Sequence, residues 1–323
     1  MTPPHTPRVF AKPSDLRDLM VRSDDPAEPM RRHGDQLGEP MTAPTKIHAA
    51  ASTRVATTDR SVPPILEVDS VVFGYGAETI IDNVSFDGRA GDFISIIGPS
   101  GCGKSTLLTL LDGMAQPLAG SVRVNGQRPL PGEPSRSMVF QNFALMPWKT
   151  VLDNVELGLR YRRRDLAKKE RYDIAHEYLK KVGLDRSSKL YPRHLSGGMQ
   201  QRVGLARAFA VQPQILLMDE PFGALDAQNA EILREDVRAL VQEEQRTVVF
   251  VTHNLDEALQ LSNRILLMTA GPGRIREAVT VDLPDEDSDD YPARYEAYRK
   301  QLWMHLRQEV NETRAREEEG PTR

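Results

Sequence analysis

Apolar residues along this chain come in short runs closed by glycine or polar turns, and the spacing within each run separates strands from helices. Ile65-Leu66-Glu67-Val68-Asp69-Ser70-Val71-Val72-Phe73 reads as a strand followed by a Gly74-Tyr75-Gly76 turn, and Ser121-Val122-Arg123-Val124-Asn125-Gly126 reads as a second strand and turn. Together they suggest a small antiparallel sheet. Asp92 to Ile97 and Arg136 to Phe140 are further strand candidates. Three buried strands are predicted at Gln214 to Met218, Thr247 to Val251 and Arg264 to Met268, separated by helices, which argues for a parallel α/β sheet. Between these groups the period changes. Leu166, Ile174, Tyr178 and Val182 stand at near-helical spacing with Gly183 as a C-cap, so residues 142–209 are expected to form a helical insert.

The ends of the chain differ from its middle. Residues 1–62 are rich in Pro, Ser, Thr, Asp and Arg without sustained periodicity, and a disordered extension is expected there, with Met30 and Met41 as alternative starts. The acidic run Asp285-Glu286-Asp287-Ser288-Asp289-Asp290 lacks the turn glycine of a calcium loop and reads as a solvated linker. After it, Tyr295, Tyr298, Leu302, Leu306 and Val310 form the apolar stripe of a C-terminal helix. The expected division is therefore an extension over 1–62, a main domain over 63–284, and a linker and amphipathic helix over 285–323.

Composition narrows the class. With 323 residues and 39% hydrophobic content the chain can bury a substantial core, in one large or two ordinary domains. A net charge of −4 gives no overall footprint for nucleic acid, and no basic patch stands out. One cysteine rules out an intramolecular disulfide framework and suits a reducing cytosol. The longest apolar runs fall well short of the roughly 20 residues that span a bilayer, and the N-terminus has no apolar signal core.

Chemistry enters at Gly98-Pro99-Ser100-Gly101-Cys102-Gly103-Lys104-Ser105-Thr106, which fits the phosphate-binding loop pattern. Its glycines let backbone N–H groups curl around a phosphate chain, Lys104 adds a point charge, and the Ser105 hydroxyl can reach a magnesium ion. The run before it has strand length and Thr106-Leu107-Leu108-Thr109-Leu110-Leu111 continues as a helix, so the helix N-terminus faces the phosphates. Cys102, without a partner cysteine, reads as inert. About ninety residues on, Leu195-Ser196-Gly197-Gly198-Met199-Gln200-Gln201-Arg202 supplies an N-cap serine and two glycines at another helix start, a second phosphate-binding end. Ile215-Leu216-Leu217-Met218-Asp219-Glu220-Pro221 is a buried strand that delivers two carboxylates at its end.

This ordered set resembles the ATP-binding-cassette (ABC) ATPases over roughly Ile65 to Leu283, with Ser196 to Arg202 similar to their signature motif. The resemblance implies a phosphate-loop NTPase core with an antiparallel β subdomain and a helical subdomain, and ATP and Mg2+ as ligands. It further implies that Asp219, Ser105 and Gln141 hold the metal and its water, that Glu220 polarises the attacking water, and that His253 after Thr252 is a switch near the γ-phosphate. Gln141 would also sense a membrane partner, Ala224-Leu225-Asp226 would signal across a dimer, and Tyr75 would stack on adenine. Asn254 stands where Asp is more usual, and Gly223 where Ser is common. Since each motif occurs once, the resemblance implies a head-to-tail homodimer or heterodimer in which each signature, Ser196 to Gln200, closes the other subunit's site.

Phe143-Ala144-Leu145-Met146-Pro147-Trp148, Thr150 to Val155, and Gly271-Pro272-Gly273-Arg274-Ile275 resemble the nitrate, sulfonate and taurine importer branch. That likeness implies an ATPase subunit on the cytoplasmic face of the membrane, working with permease subunits and an extracytoplasmic binding protein to import a small nutrient. An exporter or lipid-extractor subunit, or a soluble cassette acting on DNA or ribosomes, are the alternatives. Two cassettes in one chain or a long coiled-coil insertion would mark the last of these, and neither is visible.

Overall fold

The computed structural model describes residues 63–319, with side chains to residue 312. The N-terminal extension expected over 1–62 lies outside them. Strand β1 (Leu66–Tyr75) turns at Gly76 into β2 (Glu78–Gly88), with Tyr75 facing Glu78 across the hairpin. The turn is thus shorter than the sequence suggested. Gly74 and Tyr75 remain in the strand, and Gly76 takes the left-handed conformation at φ +60 that glycine accepts without strain. The sequence reading also passed over β2 itself, whose core positions Ile81, Val84 and Phe86 are interrupted by Asp82, Asn83 and Ser85.

Next come β3 (Phe93–Ile97), helix α1 (Lys104–Leu111), β4 (Ala119–Val124) and β5 (Arg136–Val139). Three helices follow, α2 (Val151–Arg162), α3 (Lys168–Lys181) and α4 (Gly197–Ala210), in the stretch expected to be helical. Its opening, from Gln141 to Thr150, is irregular. The chain then alternates through β6 (Ile215–Asp219), α5 (Ala227–Glu244), β7 (Thr247–Val251), α6 (Leu255–Leu261) and β8 (Arg264–Met268). It closes with β9 (Ile275–Thr280) and α7 (Tyr291–Glu319). Strand β9 was not foreseen, because its alternating Ile275, Glu277 and Val279 are only half-buried and carry no continuous apolar run.

The strands form a three-stranded antiparallel sheet in the order β2-β1-β4 and a six-stranded sheet in the order β5-β6-β7-β3-β8-β9. All neighbours in the larger sheet are parallel except β8 and β9. Central strands here must be apolar on both faces, because helices cover both. Leu216 and Met218 of β6 face a cluster with α2, α3, α4 and α5, while Ile215 and Leu217 face the opposite cluster with α1 and the antiparallel sheet. On β8 the same alternation sends Ile265 and Leu267 to a third cluster, where Leu302 of α7 is fully buried beside Leu255 and Leu259 of α6. The predicted C-terminal stripe is therefore the seat of α7.

Register decides where chemistry can gather. Ile96 pairs with Val251 and Val251 with Asp219, so β3, β7 and β6 end side by side. The segments leaving those ends begin with Gly98, Thr252 and Glu220. In an open parallel sheet the crevice outside the carboxyl ends of the strands is where ligands bind.

Candidate functional site

Three segments converge at that edge, the first more than a hundred residues from the other two. The loop after β3 is folded around its own lysine: Lys104 is buried, and its Nζ donates to the carbonyls of Gly98 at 2.9 Å and Pro99 at 2.8 Å. Gly101 and Gly103 take φ of +78 and +94, and a side chain at Gly98 would sit 2.9 Å from the Met268 carbonyl. These glycines are structural requirements of the curl. Whereas α2, α4, α5 and α6 are capped by the side chains of Thr150, Ser196, Asp226 and Asn254, α1, like α3, has no side-chain cap from its N-cap residue. Its first-turn N–H groups, from Lys104, Ser105 and Thr106, suit an anion.

Cys102 is buried within the loop, where burial pushes its thiol up against the opposing pull of Lys104. A thiol held protonated is a poor nucleophile, which accords with an inert role.

Facing the start of α1, the Ser105 hydroxyl donates to Asp219 Oδ1 at 2.9 Å. Burial pushes the Asp219 carboxyl up, and the Ser105 hydrogen bond offsets only part of that. A desolvated carboxylate beside a hydroxyl offers oxygen donors of the kind magnesium prefers. The residues fit the metal.

Glu220 follows directly and turns the chain sharply. Its φ is +42, and its N–H is bonded to the Val251 carbonyl at 2.9 Å. Such a conformation is uncommon outside glycine and gathers at functional sites. The carboxylate meets two partners through Oε2: Gln141 Nε2 at 3.3 Å and His253 Nδ1 at 3.1 Å. Gln141 arrives there because β5 pairs with β6, Val139 opposite Met218, so the two strands leave the sheet together. The arrangement can hold a water between an acceptor carboxylate and polar neighbours.

The two departures noted in the sequence cost nothing locally. Asn254 caps α6 as Asp would, accepting from Asp256 N at 2.9 Å. A Cβ at Gly223 would stand 3.5 Å from Gln141 Nε2, ordinary contact, so glycine and serine both fit.

Of the remaining predicted residues, those of the signature and Asp226 form a separate group. Ser196 accepts from Met199 N at 3.3 Å, Gln200 donates to the Leu195 carbonyl at 3.2 Å, and Asp226 accepts from Asn229 N at 3.1 Å. The signature and the Asp226 loop are neighbours, since a Cβ at Gly197 would lie 3.8 Å from Leu225 and one at Gly198 3.8 Å from Asn229. Those spacings are ordinary contacts, and neither glycine takes a positive φ. Nothing among the described residues requires glycine at either position. Tyr75 ends β1 with 64% of its surface exposed and its ring edge-on to Phe73 at 5.2 Å, leaving room for a stacked partner.

One residue entered the sequence reading only within the Gly271 to Ile275 segment that resembles the importer branch. Gly273 bridges to β2 through Ile80 O and Asp82 N, at 2.8 and 3.0 Å, and a Cβ there would fall 2.0 Å from the Cys102 carbonyl. It supports the phosphate-binding loop from behind, a contact across 171 residues that spacing alone could not reveal. Gly273→Ala is expected to cost about 1–3 kcal/mol of stability through overpacking and to weaken nucleotide binding. A thermal melt and an ATP titration would check both, and unchanged values would show that the loop yields freely.

Comparison with known proteins agrees with this geometry. The family described as ABC transporter matches residues 81–223. An uncharacterized ABC transporter ATP-binding protein of Methanocaldococcus jannaschii is 44% identical over 230 residues, covering 71% of this chain and 85% of that protein. The nitrate import ATP-binding protein NrtD of Synechocystis sp. is 40% identical over 236 residues, 73% of this chain and 88% of that one. The bicarbonate transport ATP-binding protein CmpC of Synechococcus elongatus is 45% identical over 205 residues, 63% of this chain but 31% of that longer protein. Among solved structures, an ATP-binding cassette in a dimeric post-hydrolysis state, bound to ADP and Pi, superposes with a TM-score of 0.59 at 33% identity. It covers 67% of this chain and 99% of its own.

Proposed function

The chain belongs to the ATP-binding-cassette transporter family as an ATP-hydrolysing subunit, and from that premise we propose that it powers import of a small nutrient through separate membrane subunits. The observation that carries the catalytic part is the cluster in which Glu220 meets Gln141 and His253 beside the Ser105–Asp219 pair.

In this reading the loop from Gly98 to Thr106 wraps the phosphates of ATP, with Lys104 turned from its loop carbonyls toward them. Tyr75 takes the adenine on its ring face. Ser105, Asp219 and Gln141 hold magnesium, which when bound neutralises charge on the phosphate oxygens. Glu220 orients the attacking water and accepts its proton, and His253 steadies the developing charge from the other side.

The signature completes the site of a partner subunit. Ser196 and Gly197 are exposed, and the space around Gly197 and Gly198 serves no need among the described residues. Glycine is disfavoured in a helix relative to alanine, so its use there speaks for close approach by something outside, here the phosphates held by the other subunit. Ser196→Arg is then expected to leave ATP binding by the isolated subunit within about twofold while hydrolysis by the dimer falls about a hundredfold. Normal hydrolysis would contradict the shared site.

The surface for membrane subunits is assigned to the irregular segment after β5. Phe140 and Trp148 are exposed there, 41% and 65%, the kind of aromatic anchors that interfaces favour. The segment is held firmly: buried Asn154 bonds both Met146 N, at 2.7 Å, and Met146 O, at 3.2 Å, and Arg207 bonds the carbonyls of Phe143 and Ala144. Such a brace lets force on the segment reach Gln141. Among the described residues no helix is long and apolar enough to cross a membrane, and the proposed place of the subunit is the cytoplasmic face, with an extracytoplasmic binding protein delivering the nutrient and nucleic acid playing no part.

Relatives named for nitrate import and bicarbonate transport favour a small anion as that nutrient. Uptake of labelled nitrate, bicarbonate or taurine by cells lacking this subunit tests the point. Loss of one uptake, restored by the wild type and not by Glu220→Gln, is expected. Normal uptake with a lost efflux would instead favour an exporter.

A further inference from the structure

A polar cluster ties the C-terminal helix to the segment that carries His253. Tyr295 and Arg299, one turn apart on α7, both donate to the same oxygen, Asp256 Oδ1, at 2.9 Å each. Asp256 lies in the first turn of α6, three residues from His253, and its own N–H is bonded to the cap residue Asn254. A second hold runs through Glu257 of α6. Its Oε2 accepts from the Thr252 hydroxyl at 2.6 Å, and its Oε1 faces Arg234 of α5 at 3.6 Å. The short segment bearing His253 is therefore gripped on both sides, while the imidazole itself projects with 62% exposure toward Glu220.

The grip from α7 is well seated. Tyr295 stacks on Tyr291 with centroids 5.7 Å apart and 26° between planes, and it packs against the cluster of Leu255, Leu259 and Leu302. Burial and the Asp256 carboxylate push its phenol up, so it stays a donor. Further along, Gln301 bonds Glu277 at 2.9 Å, Arg276 pairs with Glu309, and Glu309 accepts from Ala270 N at 2.9 Å. These bonds fix α7 to β9 and to the turn after β8. Tyr295 also lines, with Glu220 and His253, one cavity of about 550 Å³.

We propose that Tyr295 and Arg299 are positioning residues for ATP hydrolysis, through which α7, acting on Asp256, holds His253 within reach of Glu220. The inference rests on the reading of Glu220 and His253 given above, and adds a role for a helix that the sequence marked only as packing. A rigidly placed side chain loses less order on reaching the transition state, so loosening it should slow the chemical step without weakening ground-state binding.

Steady-state ATPase assays on the full-length chain test this. The double variant Tyr295→Phe/Arg299→Met is expected to lose about fivefold to thirtyfold in kcat, with KM and nucleotide affinity within about twofold of the wild type. Arg299→Lys, which keeps the charge, should recover most of the loss caused by Arg299→Met. Asp256→Asn should show a similar fall, and adding the double variant to it should cost little more, because both remove one interaction. A double variant with wild-type kcat, a loss that adds in full to that of Asp256→Asn, or a loss confined to KM would overturn the proposal. Should the double variant melt early, Tyr295→Phe alone keeps the ring and its packing, and unchanged kcat there overturns it equally. His253→Ala separates the two readings. If it hydrolyses ATP normally, the role of His253 fails and the positioning role with it; if it is inactive while the double variant keeps wild-type kcat, only the positioning role fails.

Discussion

Lys104→Ala is expected to leave the chain folded and unable to bind ATP at concentrations that saturate the wild type. The Lys104 side chain is buried, and its ammonium sits at the centre of the loop, 2.9 Å from the Gly98 carbonyl and 2.8 Å from the Pro99 carbonyl. Those bonds place the charge where the glycine curl and the uncapped start of α1 converge. Hydrogen bonds from a charged donor contribute about 1.5–3 kcal/mol each, and two to phosphate oxygens would together account for a hundredfold or more in affinity, since about 1.4 kcal/mol is a factor of ten. The fold should tolerate the change. Alanine suits a helix start, and the loop's shape is set by the glycines at 98, 101 and 103 and by Gly273 behind it. Calorimetric titration with ATP, beside a thermal melt, is the measurement. Affinity within threefold of the wild type would mean that the backbone amides alone bind the phosphates.

Much of this site was legible in the sequence, for a physical reason. Phosphate binding, metal binding and water activation each need a few residue types at fixed local spacing, and Gly98 to Thr106, Ser196 to Gln200 and Asp219-Glu220 carry patterns of that kind within short segments, the basis of the roles proposed for them. The buried parallel strands were legible too, because helices on both faces force continuous apolar runs such as Thr247 to Val251. What escaped was whatever depends on contacts distant in sequence. Strands β2 and β9 each have one face less buried, so their patterns blend into the turns around them. Gly273 looks like any turn glycine until the Cys102 carbonyl is found against it. The stripe on α7 predicted that the helix packs, yet nothing in its spacing said that Tyr295 and Arg299 would meet Asp256. Local chemistry is written in order along the chain; the supports that hold it in place are written only in the fold.

Glu220→Gln should separate binding from turnover more cleanly than any other single change. The two side chains have nearly the same shape, and the strained backbone at φ +42 with its N–H bonded to Val251 O is kept by glutamine as readily as by glutamate. Lys104, Ser105 and Asp219 are untouched, so ATP affinity is expected to stay within about threefold of the wild type. What is lost is a carboxylate that can take a proton and that faces both Gln141 and His253. An amide can still hold a water by hydrogen bonds but cannot accept its proton, and general-base catalysis is worth about a hundredfold to ten-thousandfold. Turnover should fall by at least about a hundredfold, and since closure on ATP precedes hydrolysis in the proposed composite site, the variant should accumulate as an ATP-bound dimer. Size-exclusion chromatography with and without ATP would show that dimer as an earlier peak absent from the wild type under turnover. Wild-type ATPase activity in this variant would remove Glu220 from the mechanism and leave phosphate-side groups alone to account for catalysis. A variant that is slow yet stays monomeric with ATP would keep the base and instead count against the composite site that joins one subunit's Lys104 to another's Ser196.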